Sequence, residues 1–136
     1  PYALRLTEVA GLFTSRRITR LPGPLPELLG LAGFRGVIVP VYDLPRLLGY
    51  GALPSAPGAL VLTDTSPAVA LAFEATPEHF TVRPAEVVPD ETVGKAVRGA
   101  VAYRGLMHPI LDVPALVAAI RARAEQHTAH QGEESL

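Results

Sequence analysis

The sequence contains no cysteine and no tryptophan, a single methionine, and only four Phe and four Tyr among 136 residues. Without cysteine there is no disulfide, no thiol nucleophile and no thiolate metal site. Of the four His, His127 and His130 sit in a polar C-terminal stretch, which leaves little for a histidine metal site. No apolar run approaches the roughly 18 to 20 residues of a membrane-spanning helix, and the N-terminus lacks the basic and then apolar pattern of a signal peptide. A formal net charge of −1 supplies no field for nucleic acid or an anionic membrane. Neither a Gly-x-Gly-x-x-Gly nor a Walker pattern is present. These absences predict a soluble cytoplasmic protein with no cofactor, no nucleic-acid partner and no direct membrane insertion.

What is there is aliphatic. Hydrophobic residues make up 49% and charged residues 18%, enough apolar material for a core. The length suits one compact unit or two small halves sharing a core. Two halves are favoured by a repeat: RGVIVPVYDLPRLL, from Arg35 to Leu48, returns as RGLMHPILDVPALV, from Arg104 to Val117. Arg35 and Arg104, Pro40 and Pro109, Asp43 and Asp112, and Pro45 and Pro114 all stand 69 residues apart. Self-similarity at a fixed offset is the signature of a duplicated unit.

Along the chain, the alternation of Tyr2, Leu4 and Leu6 with Ala3, Arg5 and Thr7 predicts a strand over Tyr2 to Thr14. Pro26 then opens a short helix over Glu27 to Leu29, bracketed by Gly30 and Gly33. Each Arg-Gly starts a strand, and each following proline bends it, because a proline withdraws a ladder donor and belongs at an edge or bulge. Asp43 and Asp112 each precede a proline and a Leu-rich run, the chemistry of a helix N-cap. The second such helix is long and amphipathic, with Val113, Leu116, Val117 and Ile120 on one stripe. The Gly- and Pro-dense stretch Gly49 to Gly58 reads as a connector. Further short strands follow at Leu60 to Thr63, Ala68 to Ala75, Thr81 to Val82 and Ala100 to Tyr103, separated by turns at Ser66-Pro67, Thr76-Pro77 and Pro89-Asp90. The class is all-β, as two small, imperfectly closed barrels. The expected division is residues 1–52, residues 53–127 with the C-terminal helix, and a disordered tail at 128–136.

Candidate chemistry is sparse. Asp43 and Asp112 could act as a shared acid and base, but the residues that follow them already explain both as caps. Asp64-Thr65-Ser66 has the form of an aspartic-protease loop, which in a dimer would share one proton between two carboxyls; Pro67 follows at once, and a hairpin turn explains the same residues. His108 fills the slot that Val39 fills in the first copy, and a lone His on an apolar strand is ordinarily a packed residue. His79 looks like an exposed turn. Arg35 must either reach solvent or pair with an acid, and Glu8 is the nearest acid before it in sequence. Both readings of Arg35 stay open at this level.

The stretch Ile18 to Gly49, ITRLPGPLPELLGLAGFRGVIVPVYDLPRLLG, closely resembles the CheW family of chemotaxis coupling proteins, whose pattern runs Leu-Pro, a Pro-containing short helix ending in Gly, Asn-Leu-Arg-Gly, an apolar strand with Pro, and Asp-Leu. Gly33-Phe34 stands here where Asn-Leu is usual. The resemblance implies two five-stranded, SH3-like β-barrel subdomains around a common core and no catalysis. It implies an adaptor recruited to receptor arrays, binding the cytoplasmic tips of chemoreceptors and the CheW-like regulatory domain of a CheA-type histidine kinase. Arg35 and Gly36 would belong to receptor coupling with Glu8 as the partner of Arg35, and Leu6, Val9, Val97 and Val101 would line an apolar groove for receptor helices. Family members carry a strand before the Tyr-Ala-Leu strand. An adaptor short of that strand, with one barrel incomplete, would bind receptor but not kinase, which is the alternative expectation.

Overall fold

A computed structural model of the chain describes residues 2–14, 17–21, 23, 25–49, 58–74, 80–88 and 97–134. The expected connector at 50–57, the turns at Thr76-Pro77 and Pro89-Asp90, and His79 fall outside those residues. The chain forms two compact units, one of residues Leu6–Phe80 and one of Pro1–Arg5 with Thr81–Leu136. This division does not coincide with the one expected after residue 52, because strands beyond that point pair into the first sheet.

The unit of residues 6–80 holds β1 (Val9–Phe13), β2 (Thr19–Arg20), β3 (Leu28–Phe34), β4 (Val37–Asp43), the single-turn α1 (Leu44–Leu47), β5 (Ala59–Thr63) and β6 (Ala70–Phe73). Its sheet has the order β1-β5-β6-β4-β3-β2, antiparallel except where β6 joins β4 in parallel. The inward residues Ala32, Phe34, Val39, Val41, Leu60, Ala70 and Ala72 form its core, with Phe13, Ile18, Leu29, Leu62 and Ala68 packed around them. The Phe13 and Phe34 rings meet at 4.8 Å in a tilted pair that links the ends of β1 and β3.

The other unit holds β7 (Val97–Tyr103), β8 (Leu106–Leu111) and α2 (Val113–Glu134). Val113, Leu116, Val117 and Ile120 are all buried, so the stripe on α2 faces a core, and the helix runs on into the stretch expected as tail. Single bridges flank the hairpin: Val88 to Ala100 on β7, and Ala3 to Ile110, in parallel, on β8. The class is thus all-β with short helices and a C-terminal helix, as expected.

The duplication is visible in the backbone. Ladder shifts fall between Leu28 and Gly30 in β3 and between Val97 and Gly99 in β7, again 69 apart. Both glycines sit where another segment crosses closely: a Cβ on Gly30 would lie 2.1 Å from the Thr19 carbonyl oxygen, and one on Gly99 2.9 Å from that of Val88. Val41 of β4 pairs in parallel with Ala70, and its counterpart Ile110 of β8 pairs in parallel with Ala3. The N-terminal segment therefore does for β8 what β6 does for β4.

Three expectations are corrected. The predicted strand Tyr2 to Thr14 is broken by a 3-10 turn at Leu6–Glu8, and its two ends belong to different units. The predicted helix after Pro26 is absent: only Pro26 and Glu27 turn, and Leu28 onward is β3, since β4 offers it a full-length partner and Gly30 admits β2. Thr81 to Val82 is not a strand; a 3-10 turn at Pro84–Glu86 and the Val88 bridge follow it.

The prolines explain themselves through the ladder. In an antiparallel hairpin, facing residues alternate between pairs that exchange hydrogen bonds and pairs that do not. Counting from the turns, Pro40 opposite Leu31 and Pro109 opposite Ala100 occupy non-bonded positions, so the missing N–H removes no bond within either hairpin. The outward carbonyl of Pro109 instead accepts from Ala3 N at 2.9 Å.

Candidate partner-binding surface

Each unit ends a hairpin in the repeated Arg-Gly. Phe34 and Val37 close a two-residue connection in which Arg35 has φ 51° and Gly36 φ 82°; Tyr103 and Leu106 close another with Arg104 at 50° and Gly105 at 75°. Positive φ at both central residues is the type I′ turn that matches strand twist, normally made with Asn-Gly. Arg-Gly is thus the tip between two strands rather than the start of one. An L-residue with a long side chain pays for that left-handed conformation by about 1–2 kcal/mol.

Beyond each tip two consecutive large apolar side chains stand out: Val37 and Ile38 at 59% and 71% exposure, Leu106 and Met107 at 60% and 52%. They occupy equivalent places in the repeat, 37 with 106 and 38 with 107. From sequence the apolar run Val37 to Tyr42 reads either as a strand buried on both faces or as one that offers a face to a partner, without singling out these positions. The available signal was the repeat itself, which keeps both positions apolar immediately after a turn.

The two arginines differ in their surroundings. The guanidinium of Arg104 lies 5.4 Å from the centroid of the Tyr103 ring, and the His108 ring meets the same tyrosine edge-on at 6.0 Å. Nε2 of His108 is 3.1 Å from the Tyr103 carbonyl oxygen, a hydrogen bond that ties the His to its own hairpin. Phe34, which precedes Arg35, is instead buried in the core, and Arg35 projects from the tip, exposed.

The remaining expected residues are distributed over both units. Leu6 is exposed on the 3-10 turn, while Glu8 and Val9 are half-buried where β1 begins. Among the described residues no ion pair joins Glu8 to Arg35. The Glu8 carbonyl accepts from Asp64 N at 2.9 Å, fixing the start of β1 to the end of β5. Val97 is half-buried at the start of β7, and Val101 is 2% exposed.

Asp43 and Asp112 cap helices. Oδ1 of Asp43 accepts from Arg46 N and Oδ1 of Asp112 from Ala115 N, each at 3.1 Å. Asp112 also receives Arg98 Nη2 at 2.8 Å. Burial pushes the Asp112 carboxyl up, but the Ala115 amide, the Arg98 hydrogen bond and charge, and the charge of Arg5 outweigh it and hold the group below its ordinary value. Burial, and then the Glu27 carboxylate, push the Tyr42 hydroxyl above its ordinary value.

The Asp64 loop is built for shape. Val69 N donates to the Thr63 hydroxyl at 3.0 Å, the Thr63 and Thr65 hydroxyls are 2.8 Å apart, and Thr65 donates to the Pro67 carbonyl at 3.0 Å. Asp64 itself points outward, exposed. Among the described residues no three His, Asp or Glu groups gather as a metal site, and no helix is long and apolar enough to cross a membrane.

The CheW-like domain model matches residues 1–121. The chain belongs to the CheW-like domain family. Among solved structures, this CheW-like chain is similar to the scaffolding protein TtCheW from Thermoanaerobacter tengcongensis, with a TM-score of 0.71 over 81% of this chain and 80% of that one. Sequence identity is 22%, so the likeness is one of fold. No curated protein matches the sequence. CheW-like domains are non-catalytic, and the hydrogen bonds of the Asp64 loop account for its residues as a turn.

Proposed function

We propose that this CheW-like chain is an adaptor of a chemosensory system, held at cytoplasmic receptor arrays, that binds chemoreceptor tips and couples them to a CheA-type histidine kinase. The observation that carries the reading is the family match over residues 1–121, which takes in both hairpin tips. The exposed tips add physical support. An arginine held in a left-handed turn beside two exposed apolar side chains combines a directed charge with apolar area to bury, the combination that anchors interfaces. Backbone strain of this kind persists where the surrounding fold over-determines it and clusters at functional sites.

Receptor helices would dock by their apolar face in the helix-in-groove mode. On the unit of residues 6–80, Leu6 and Val9 would supply apolar contact, with Arg35, Gly36 and Glu8 on its coupling surface; on the other unit, Val97 would supply apolar contact of its own. Val101, being buried, is left out of the contact set. Titration calorimetry with a receptor hairpin fragment, and separately with the regulatory domain of the kinase, tests the reading. Binding of both is the expected result, binding of receptor alone reduces the function to a receptor-binding protein, and binding of neither by the folded chain refutes it.

A further inference from the structure

Sulfur occurs once in this chain: there is no cysteine, and the single methionine is Met107. It is not held in a core. Met107 stands on β8 one residue beyond the pair Tyr103 and Leu106 that closes the second hairpin, and it is 52% exposed. Its cross-strand partner is Ala102, itself exposed, which offers a methyl group and nothing larger to cover the thioether. Successive side chains of a strand point to opposite faces. Tyr103, Leu106 and His108 therefore share one face of the hairpin, and Ala102 and Met107 share the other. The contacts that order this tip belong to the tyrosine: the His108 ring meets it edge-on, His108 Nε2 is bonded to its carbonyl, and the Arg104 guanidinium lies over its ring. None of them uses the sulfur. In the first hairpin the counterpart of Met107 is Ile38, more exposed still and without an oxidisable atom. Duplication has thus left two similar apolar pairs, Val37 with Ile38 and Leu106 with Met107, of which the second alone responds to an oxidant.

From this placement, we propose that Met107 is an oxidation site for hydroperoxides, and that its sulfoxide weakens apolar contact at the second hairpin tip while leaving the first untouched. The thioether sulfur attacks the terminal peroxide oxygen. An S–O bond forms as the O–O bond breaks, and sulfur gives up two electrons to the peroxide. The proton of the transferred oxygen passes to the leaving oxygen, which departs as water, or as an alcohol from an organic hydroperoxide. The product is a polar group in place of an apolar one. A partner that buries Leu106 and Met107 must then desolvate a hydrogen-bond acceptor. The effect on contact rests on the adaptor reading; the oxidation itself does not.

The folded chain is treated with hydrogen peroxide beside N-acetylmethionine amide as the fully accessible reference. Addition of one oxygen, located at Met107 by peptide mass, is expected within about threefold of the reference rate, and protection by more than about tenfold overturns the site. The melting temperature of the oxidised chain is expected to match that of the untreated one, since the ordering contacts do not involve the sulfur; a fall makes Met107 a structural residue and overturns the proposal. Calorimetry with the receptor hairpin fragment, and with the regulatory domain of the kinase, then reads the contact. Oxidation is expected to weaken at least one of these by about tenfold or more. Met107→Leu, compared with itself before and after peroxide, is expected to show no change, and a loss there equal to that of the native chain overturns the assignment to Met107. A native chain that binds equally before and after full oxidation overturns the proposal and leaves the adaptor reading standing. A chain that binds neither partner before treatment refutes the adaptor reading and with it the control of contact, while the rate of oxygen addition still decides the site.

Discussion

Asp112 carries two separable duties, and a pair of substitutions divides them. Its Oδ1 caps α2 through Ala115 N, and the same atom holds Arg98 at 2.8 Å with side-chain exposures of 25% for the arginine and 29% for the aspartate. Losing an aspartate cap costs about 0.5–2 kcal/mol, and a partly exposed ion pair contributes about 0.2–1 kcal/mol. Asp112→Ala removes both and is expected to destabilise by about 1–3 kcal/mol. Asp112→Asn keeps an oxygen for the Ala115 amide and loses only the charge, so its cost is expected to stay below about 1 kcal/mol. Urea unfolding followed by far-ultraviolet circular dichroism reads both differences. The pH dependence supplies a second check. Because the folded pKa lies below the unfolded one, the unfolded chain binds more protons between the two, and the contribution of the charge is present above the unfolded pKa. It is lost as pH falls through the folded value. The gap between the native chain and Asp112→Asn therefore closes in acid, whereas the gap between the native chain and Asp112→Ala narrows but does not vanish, since the cap oxygen remains. If the Asn and Ala variants are equally unstable at neutral pH, the cap is not the larger share and the reasoning fails.

Arg35→Asn places a residue that tolerates positive φ at the hairpin tip, so thermal stability should rise by about 0.5 kcal/mol while receptor binding falls; lost stability would contradict the turn assignment. Val37→Ser with Ile38→Ser alters exposed side chains only, so the melting temperature should move by no more than about 0.5 kcal/mol allows, while partner affinity in calorimetry drops tenfold or more. Gly30→Ala meets the Thr19 carbonyl and should cost about 1–3 kcal/mol, with amide exchange of β2 accelerated. Tyr42 has a raised folded pKa, so its contribution is intact below the unfolded value near 10 and is lost as pH rises beyond it. Tyr42→Phe should flatten the alkaline fall in stability.

The repeat made most of the architecture legible. An offset shared by Arg, Pro, Asp and Pro is a long-range constraint written into the sequence, and it located the strands β4 and β8, both caps and the buried face of α2. Where the reading failed, local pattern and tertiary partner disagreed. Pro26 followed by Glu, Leu and Leu is a good helix start in isolation, yet Leu28 to Phe34 faces β4 along its whole length, and pairing overrides a helix of a single turn. The alternation from Tyr2 onward was a true extended signal, but nothing in its periodicity reveals that the chain changes unit after Arg5. The arginine of each tip was misplaced for a similar reason. Arg-Gly is a weak turn signal beside Asn-Gly, and only the backbone shows that the positive φ is imposed on it.

That imposition gives the repeat its asymmetry. Both tips bear the same left-handed arginine and the same exposed apolar pair, so duplication alone would leave two equivalent contact points. The second tip occupies its arginine over Tyr103 and adds His108 bonded to the backbone of the same tyrosine, which orders the hairpin from within. The first tip sends its aromatic, Phe34, into the core against Phe13 and leaves Arg35 exposed. A side chain already resting on its own hairpin has less to gain from a partner than one projecting into solvent, because part of its contact energy is satisfied before docking. Of two sites drawn from one ancestral sequence, Arg35 is therefore the one whose removal should be felt by a binding partner, and Arg104 the one whose removal should be felt by its own hairpin.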